Sequence, residues 1–309
     1  MNVFLTGATG AIGPATVGGL LERGHNVRAV ARTDEKAAGL RAQGAEPVAV
    51  DLFDGGAVKS AVDGCEAVMH LATHVPPLRR MSSNKAWAEH NRLRTAATEN
   101  LVDAALTTGV GTFVKESVSF VYPDGGDAWI DETTPPDESV AMLAPTLEGE
   151  RIVDRFTAGG GRGVVLRFGS FYGPTARMVD EALRLARFRL SIVGGTPDAY
   201  VSSIHTDDVA SASVAALDAP AGIYNVVEDD PVTRREYLDE FSEALGVRRL
   251  RPMPTWLVKL ASGSAAAAVI RSWRVSNKKL RDATGWTPKF RSVREGWPAV
   301  AWEREAVRA

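Results

Sequence analysis

Short apolar runs alternate with helical patterns through the first half of the chain. Asn2–Leu5 reads as a buried strand. Ala11–Arg23 reads as a helix that tolerates Pro14 because it falls in the first turn. Gly24 stops that helix, and Asn26–Val30 predicts the next strand. The pattern continues with a helix over Asp34–Gln43 and strands at Glu46–Val50 and Ala67–Leu71. A long helix is predicted over about Lys85–Leu106, then a fifth strand at Thr112–Ser117, a helix at Gly149–Thr157 and a sixth strand at Gly163–Phe168. Such alternation requires right-handed crossovers and a parallel sheet covered by helices on both faces.

The second half is less regular. Met178–Phe188, Asp207–Leu217 (opening at an Asp/Thr cap) and Thr233–Leu245 read as helices, and Ile223–Val227 as a late strand returning to the sheet. The expectation is an α/β chain: a doubly wound domain over 1–174, rejoined by 205–228, and a smaller, mainly helical substrate domain from 175–204 and 229–309. From Arg251 onward short helices mix with Trp and Pro, and the last stretch is cationic. It reads either as a basic binding face or as a solvated arginine-rich surface.

The strongest motif is Thr6-Gly7-Ala8-Thr9-Gly10-Ala11-Ile12-Gly13, between the first strand and the first helix. Gly7 suits a tight turn, Gly10 a close approach to a pyrophosphate, and Gly13 helix–strand packing. The free N–H groups and the helix dipole then favour phosphate, so Gly7, Gly10, Ala11, Ile12 and Gly13 are candidate cofactor contacts in a Rossmann-type domain. At the end of the second strand stands Arg32, where a carboxylate would hold a ribose diol. Its guanidinium suits a 2′-phosphate, so NADP(H) is favoured over NAD(H), with Asp34 and Glu35 keeping NAD open. Asp51 and Leu52 are placed for the adenine edge, with a helix cap as the other reading of Asp51.

Composition narrows the partners. The chain has 309 residues, 45% of them apolar, and a net charge of −2, so no global field draws it to nucleic acid or an anionic membrane. The single Cys65 rules out an intrachain disulfide framework. Met1–Leu5 runs straight into the glycine turn without a leader, and the longest small-apolar run, Ala265–Ile270, is far short of the roughly 20 residues of a membrane helix. A soluble, cytoplasmic protein acting on a small molecule is expected, with no nucleic-acid or membrane partner and a homodimer left open. His70 and His74 lack a third ligand, so no metal is expected.

Several segments in order resemble the extended short-chain dehydrogenase/reductase superfamily, which holds epimerases, dehydratases and reductases. They are the Thr6–Gly13 turn, Val68-Met69-His70-Leu71-Ala72, and Thr98-Glu99-Asn100-Leu101-Val102-Asp103-Ala104-Ala105. They continue with Leu166-Arg167-Phe168 and Tyr172-Gly173-Pro174, Ile204-His205-Thr206-Asp207-Asp208-Val209, Tyr224-Asn225-Val226, and the stretch from Ser276 to Pro288. The resemblance implies that Leu71, Ala72 and Thr73 lie under the nicotinamide ribose. It also implies a Tyr with Lys four residues later and a Ser or Thr on the fifth strand.

Here the chain departs. None of its five tyrosines, Tyr122, Tyr172, Tyr200, Tyr224 and Tyr237, has Lys four residues on, and no lysine occurs between Lys115 and Lys259. The implied Tyr falls on Met142, the Lys on Thr146 and the Ser on Val118. The general acid–base of that superfamily is therefore absent from its usual place. Candidates to handle a proton are Ser117, Ser119, Glu116 and Tyr122 around the end of the fifth strand, and His74 after the fourth. Each serine also reads as a strand-end hydroxyl satisfied by backbone, and Tyr122 as a packed aromatic. Thr146 joins the cofactor candidates, and His74, Tyr172, Tyr200 and His205 are candidate substrate contacts. His205 also reads as structural. Pocket-forming segments are expected at His74–Arg80, Asp124–Glu132, Phe171–Arg177, Ala199–His205 and around Trp256 and Trp273. The functions left open are an NADP-dependent oxidoreductase, epimerase or dehydratase with a rearranged acid/base, a non-catalytic NADP(H) sensor, and a non-redox isomerase or cyclase.

Overall fold

A computed structural model describes residues 1–306 apart from 78, 79, 82, 192, 263–265 and 267–269. Seven parallel strands form the central sheet: β1 (Asn2–Thr6), β2 (Asn26–Val30), β3 (Glu46–Val48), β4 (Ala67–His70), β5 (Thr112–Val118) and, after the short strand β6 (Trp129–Ile130), β7 (Arg162–Phe168). The seventh arrives after the two-residue and three-residue strands β8 (Ser170–Tyr172), β9 (Tyr200–Val201) and β10 (Ser203–His205), as β11 (Gly222–Val226). Their spatial order is β11-β7-β5-β4-β1-β2-β3. The order in which strands are added therefore reverses between β1 and β4, which opens a crevice at the carboxyl ends of those two parallel strands.

The central strands are near-continuous apolar runs because helices cover both faces. One core packs Val3, Leu5, Val17, Leu20, Met69 and Val114 against the helix Thr206–Ala215. The other packs Phe4, Val68, Leu101, Phe113 and Phe156 under the helices at 98–108 and 144–158. A third core, built on Tyr172, Phe241 and Trp297, joins the last helix to Arg234–Ala244. That helix opens with a capping box in which Thr233 and Glu236 satisfy each other's backbone.

Two elements differ from expectation for identifiable reasons. The helix expected over Lys85–Leu106 is broken into a short 3-10 turn, an α-helical segment at Ala88–Arg92, a π-helical turn at Leu93–Ala97 and the helix Thr98–Thr108. The π turn lies where buried Arg94 enters the core. The helix expected to open at an Asp/Thr cap instead has His205 at its N-cap, whose Nδ1 accepts from the Asp207 amide at 3.2 Å.

Candidate cofactor and active site

The glycine turn sits at the β1/β4 crevice, and its shape explains the residues it uses. Gly7 has φ +84°, and a Cβ there would stand 2.6 Å from the Leu71 carbonyl carbon. Gly13 packs directly on the Ala8 carbonyl, which a Cβ would overlap. Gly10 is exposed, and the nearest atom to a Cβ there would be the Gly7 carbonyl oxygen at 3.3 Å. Two glycines thus close the turn and the third leaves its outer face open. The Ala11 and Ile12 amides have no hydrogen-bond partner among the described residues, and helix Gly13–Glu22 points its amino end at the same place. The fit to a dinucleotide pyrophosphate rests on that open cradle.

Around it, Leu71 is buried, Ala72 is half-buried and Thr73 exposed. The Ala72 amide donates to Thr6 Oγ1 at 3.3 Å. Asp51 is exposed and takes the Phe53 amide at 3.0 Å, while Leu52 is buried. The neighbouring helix is capped by Asp54, not Asp51. Arg32, with 70% of its side chain exposed, is ion-paired to Glu89 at 3.2 Å. His74, exposed, lies 3.7 Å from the same carboxylate.

Beneath the crevice the structure assembles a buried ionic network that the sequence pattern leaves unread. Glu150 receives Ser117 Oγ at 2.5 Å and both Nε and Nη2 of Arg167, at 3.0 and 2.6 Å. The Arg167 guanidinium also lies 4.9 Å from the Tyr122 ring centre. Arg94 Nη2 donates to Glu116 at 3.0 Å and Arg94 Nε to His90 Nε2 at 2.7 Å. Lys115 is fully buried, with Nζ on the Glu116 carbonyl at 3.0 Å. Burial pushes its ammonium down to about 8 and holds His70 and His90 neutral, each near 3. Lys115 reaches across to the helix Ala144–Ala158, where a Cβ on Gly149 would stand 2.7 Å from its Cε. The legible signal is the charged pair Lys115-Glu116 inside the apolar strand Thr112–Val118, since charge on a central covered strand must be paired in the interior.

Burial bears on the expected chemistry at several positions. Tyr122 is fully buried with its hydroxyl donating to Asn225 Oδ1 at 2.9 Å, and desolvation raises its pKa further. It is a packed aromatic. Tyr172 donates to the buried Glu228 and stacks near Trp297, and His205 is buried against Tyr172 and Phe290, so neither can meet a substrate in this conformation. Ser117 is committed to Glu150. The buried Ser119 hydroxyl has no hydrogen-bond partner among the described residues, and Thr146 is buried in the first turns of its helix. Tyr200 is half-buried with Arg274 over its ring. Of the expected pocket segments, positions 78 and 79 lie outside the described residues. No group of three or more metal-ligating side chains occurs among the described residues, and none of their helices is long and apolar enough to cross a membrane.

Comparison with known proteins agrees with this geometry. A 3-diazoavenalumate denitrifying reductase of a Streptomyces species is 34% identical over 309 residues, covering 96% of this chain and 99% of its own length. A ketoreductase of Stigmatella aurantiaca acting on a farnesylated dihydroquinoline oxide is 29% identical, covering 80% of this chain and 74% of its own. The solved structure of MoeE5 with UDP-glucose and NAD superposes with a TM-score of 0.79 at 25% identity, covering 99% of this chain and 100% of that one. Human epimerase family protein SDR39U1 with NADPH shares the fold, with a TM-score of 0.79 at 22% identity, over 98% of this chain and 99% of its own. Residues 3–227, from the first strand to the end of the seven-stranded sheet, match one family throughout, and the chain belongs to the NAD dependent epimerase/dehydratase family within the extended short-chain dehydrogenase/reductases.

Proposed function

We propose that this protein is an NADP(H)-dependent reductase for a small electrophilic acid whose reduction needs no proton relay from a tyrosine, and that a diazo acid is its substrate class. One observation carries the reading. The open glycine cradle is intact, while Met142 and Thr146 occupy the turn and helix where the family resemblance implies Tyr and Lys. Neither Tyr122 nor Lys115 replaces them, because both side chains are fully buried.

In this reading Gly7, Gly10, Ala11, Ile12 and Gly13 hold the pyrophosphate, and Arg32 holds a 2′-phosphate. Asp51 and Leu52 border the adenine, and Leu71–Thr73 with Thr146 flank the nicotinamide ribose. Bound there, a reduced nicotinamide supplies a hydride. A ketone that accepts hydride becomes an alkoxide and must be protonated, the task of the missing tyrosine. A diazonium group differs: the C–N bond breaks, dinitrogen leaves and a C–H bond forms. R–N2⁺ and NADPH thus give R–H, N2 and NADP⁺, with charge balanced and no side-chain proton consumed. Orientation, which can supply several orders of magnitude in rate, then suffices. The denitrifying Streptomyces relative, aligned over nearly its whole length, supports that class.

Purified protein with NADPH and an aryl diazo acid is expected to release dinitrogen mole for mole with loss of nicotinamide absorbance. Turnover of ketones or sugar nucleotides with the diazo acid left untouched would overturn the substrate class. NADPH binding with no turnover of any acceptor would overturn the enzyme.

Cofactor preference has its own test. Arg32→Ala is expected to weaken NADPH binding roughly ten- to a hundredfold, the scale of a charge-assisted phosphate contact, and to leave NADH unchanged. Glu89→Gln, which frees Arg32 from its carboxylate, should tighten NADPH a few-fold, as befits an exposed ion pair. Titration of nicotinamide fluorescence reads both. Equal effects on NADH and NADPH would remove Arg32 from the 2′-phosphate.

A further inference from the structure

The sequence places its cationic excess in the C-terminal stretch, but the fold uses those arginines internally. Arg271 pairs with Asp137, Arg281 with Asp229, Arg294 with Asp230 and Glu236, and Arg304 with Asp180. Unpaired cations gather elsewhere. The segments 186–195 and 247–260 run side by side, tied by the Met253 amide on the Val193 carbonyl at 2.8 Å and the Gly195 amide on the Met253 carbonyl at 2.9 Å. Val258 packs on Gly194, and Arg187 and Arg189 border the same hollow as Val247 and Arg248.

Four large apolar side chains project from these segments. Phe188 is 76% exposed, Leu190 48%, Trp256 68% and Leu260 76%. Trp256 and Leu260 stand four residues apart on the helix Thr255–Ser262 and so share one side of it. Arg187, Arg189, Arg248, Arg251 and Lys259 lie on the same two segments, all exposed and none in an ion pair among the described residues. Asp239, on the preceding helix, is taken by Arg249.

We propose that this face rests on an anionic lipid bilayer, with Phe188, Leu190, Trp256 and Leu260 entering the headgroup–acyl boundary and the five cations meeting lipid phosphates. Two features select a membrane over a protein partner. The apolar groups protrude, which suits a deformable interface. Their type and setting, Trp, Phe and Leu interspersed with exposed Arg and Lys along two adjacent segments, match the chemistry of an interfacial surface. The net charge of −2 conceals this, because attraction to lipid depends on local charge within about a Debye length. The contact is peripheral, without a spanning helix.

Co-sedimentation with vesicles of phosphatidylcholine containing phosphatidylglycerol, against vesicles of phosphatidylcholine alone, tests it with the full chain. Binding is expected to the anionic vesicles, to weaken with added salt, and to fall roughly tenfold in each of two double variants, Phe188→Ser/Leu260→Ser and Arg187→Glu/Arg251→Glu. Unchanged NADPH binding and thermal melting in the variants show that they remain folded. No binding to anionic vesicles, or equal binding by the variants, would overturn the proposal. So would a concentration-dependent dimer that the same substitutions abolish, since the face would then belong to a second copy of the chain. None of these outcomes depends on which substrate is reduced.

Discussion

Glu150→Ala is expected to destabilise the protein by about 3–5 kcal/mol, the cost of stripping a buried guanidinium of its carboxylate partner. Arg167 and Glu150 face each other with side chains 3% and 7% exposed, in a two-pronged contact whose carboxylate also accepts Ser117. Removing Glu150 leaves Arg167 charged in the interior beside the Tyr122 ring, and leaves the Ser117 hydroxyl without its acceptor. Glu150→Gln keeps one acceptor oxygen and should fall between the wild type and alanine. Denaturant midpoints at neutral pH would measure both. A loss below about 1 kcal/mol for the alanine variant would mean that water replaces the carboxylate, and the network would then be solvated and not structural.

The second large effect is on the pH dependence of stability. Glu228 is 2% exposed and accepts the Tyr172 hydroxyl, and desolvation raises its pKa from 4.5 to about 8. Asp208, held by the Lys289 and Phe290 amides at 2.6 and 3.2 Å, is raised from 3.8 to about 6 by the same cause. In both cases the folded protein holds a proton that the unfolded chain has released. Stability therefore falls as pH rises, between 4.5 and about 8 for Glu228 and between 3.8 and about 6 for Asp208. At about 1.4 kcal/mol per pH unit, the ceiling for Glu228 is on the order of 5 kcal/mol. Glu228→Gln mimics the protonated form and keeps an acceptor for Tyr172. It should raise stability by a few kcal/mol at pH 8 and change it little near pH 4.5. Melting curves across that range decide the matter, and a gain of equal size at both ends would assign the effect to packing instead of ionisation.

These residues also mark where sequence reading stopped. The strands, the crossover helices and the glycine turn were legible because each depends on local properties: apolar periodicity, helix-stopping glycines, and backbone shapes open to few residues. Gly7 could be assigned a tight turn before its φ was known. The roles of Tyr122, Tyr172 and His205 could not be read that way. Each falls in a family-like segment near the carboxyl end of a strand, a place that serves equally for substrate contact and for core. Only the packing of Trp297, Phe290 and Asn225 against them, from 85 or more residues away in each case, shows them to be interior. The Lys115–Glu116 pair carried a readable signal, charge within a covered strand, but its partners Arg94 and His90 lie on a helix of another pattern.

Taken alone, the sequence determined the parallel α/β architecture, the place of the glycine turn and the lack of a lysine four residues after any tyrosine, because all three are properties of residues close together in the chain. The tertiary structure decided which charges are paired. Arginines that look like a basic tail form ion pairs within the fold, while Arg187, Arg189, Arg248, Arg251 and Lys259 stay exposed and outside any ion pair among the described residues. The reason is physical: electrostatic and desolvation energies depend on distance and burial in space, and neither is encoded in sequence spacing.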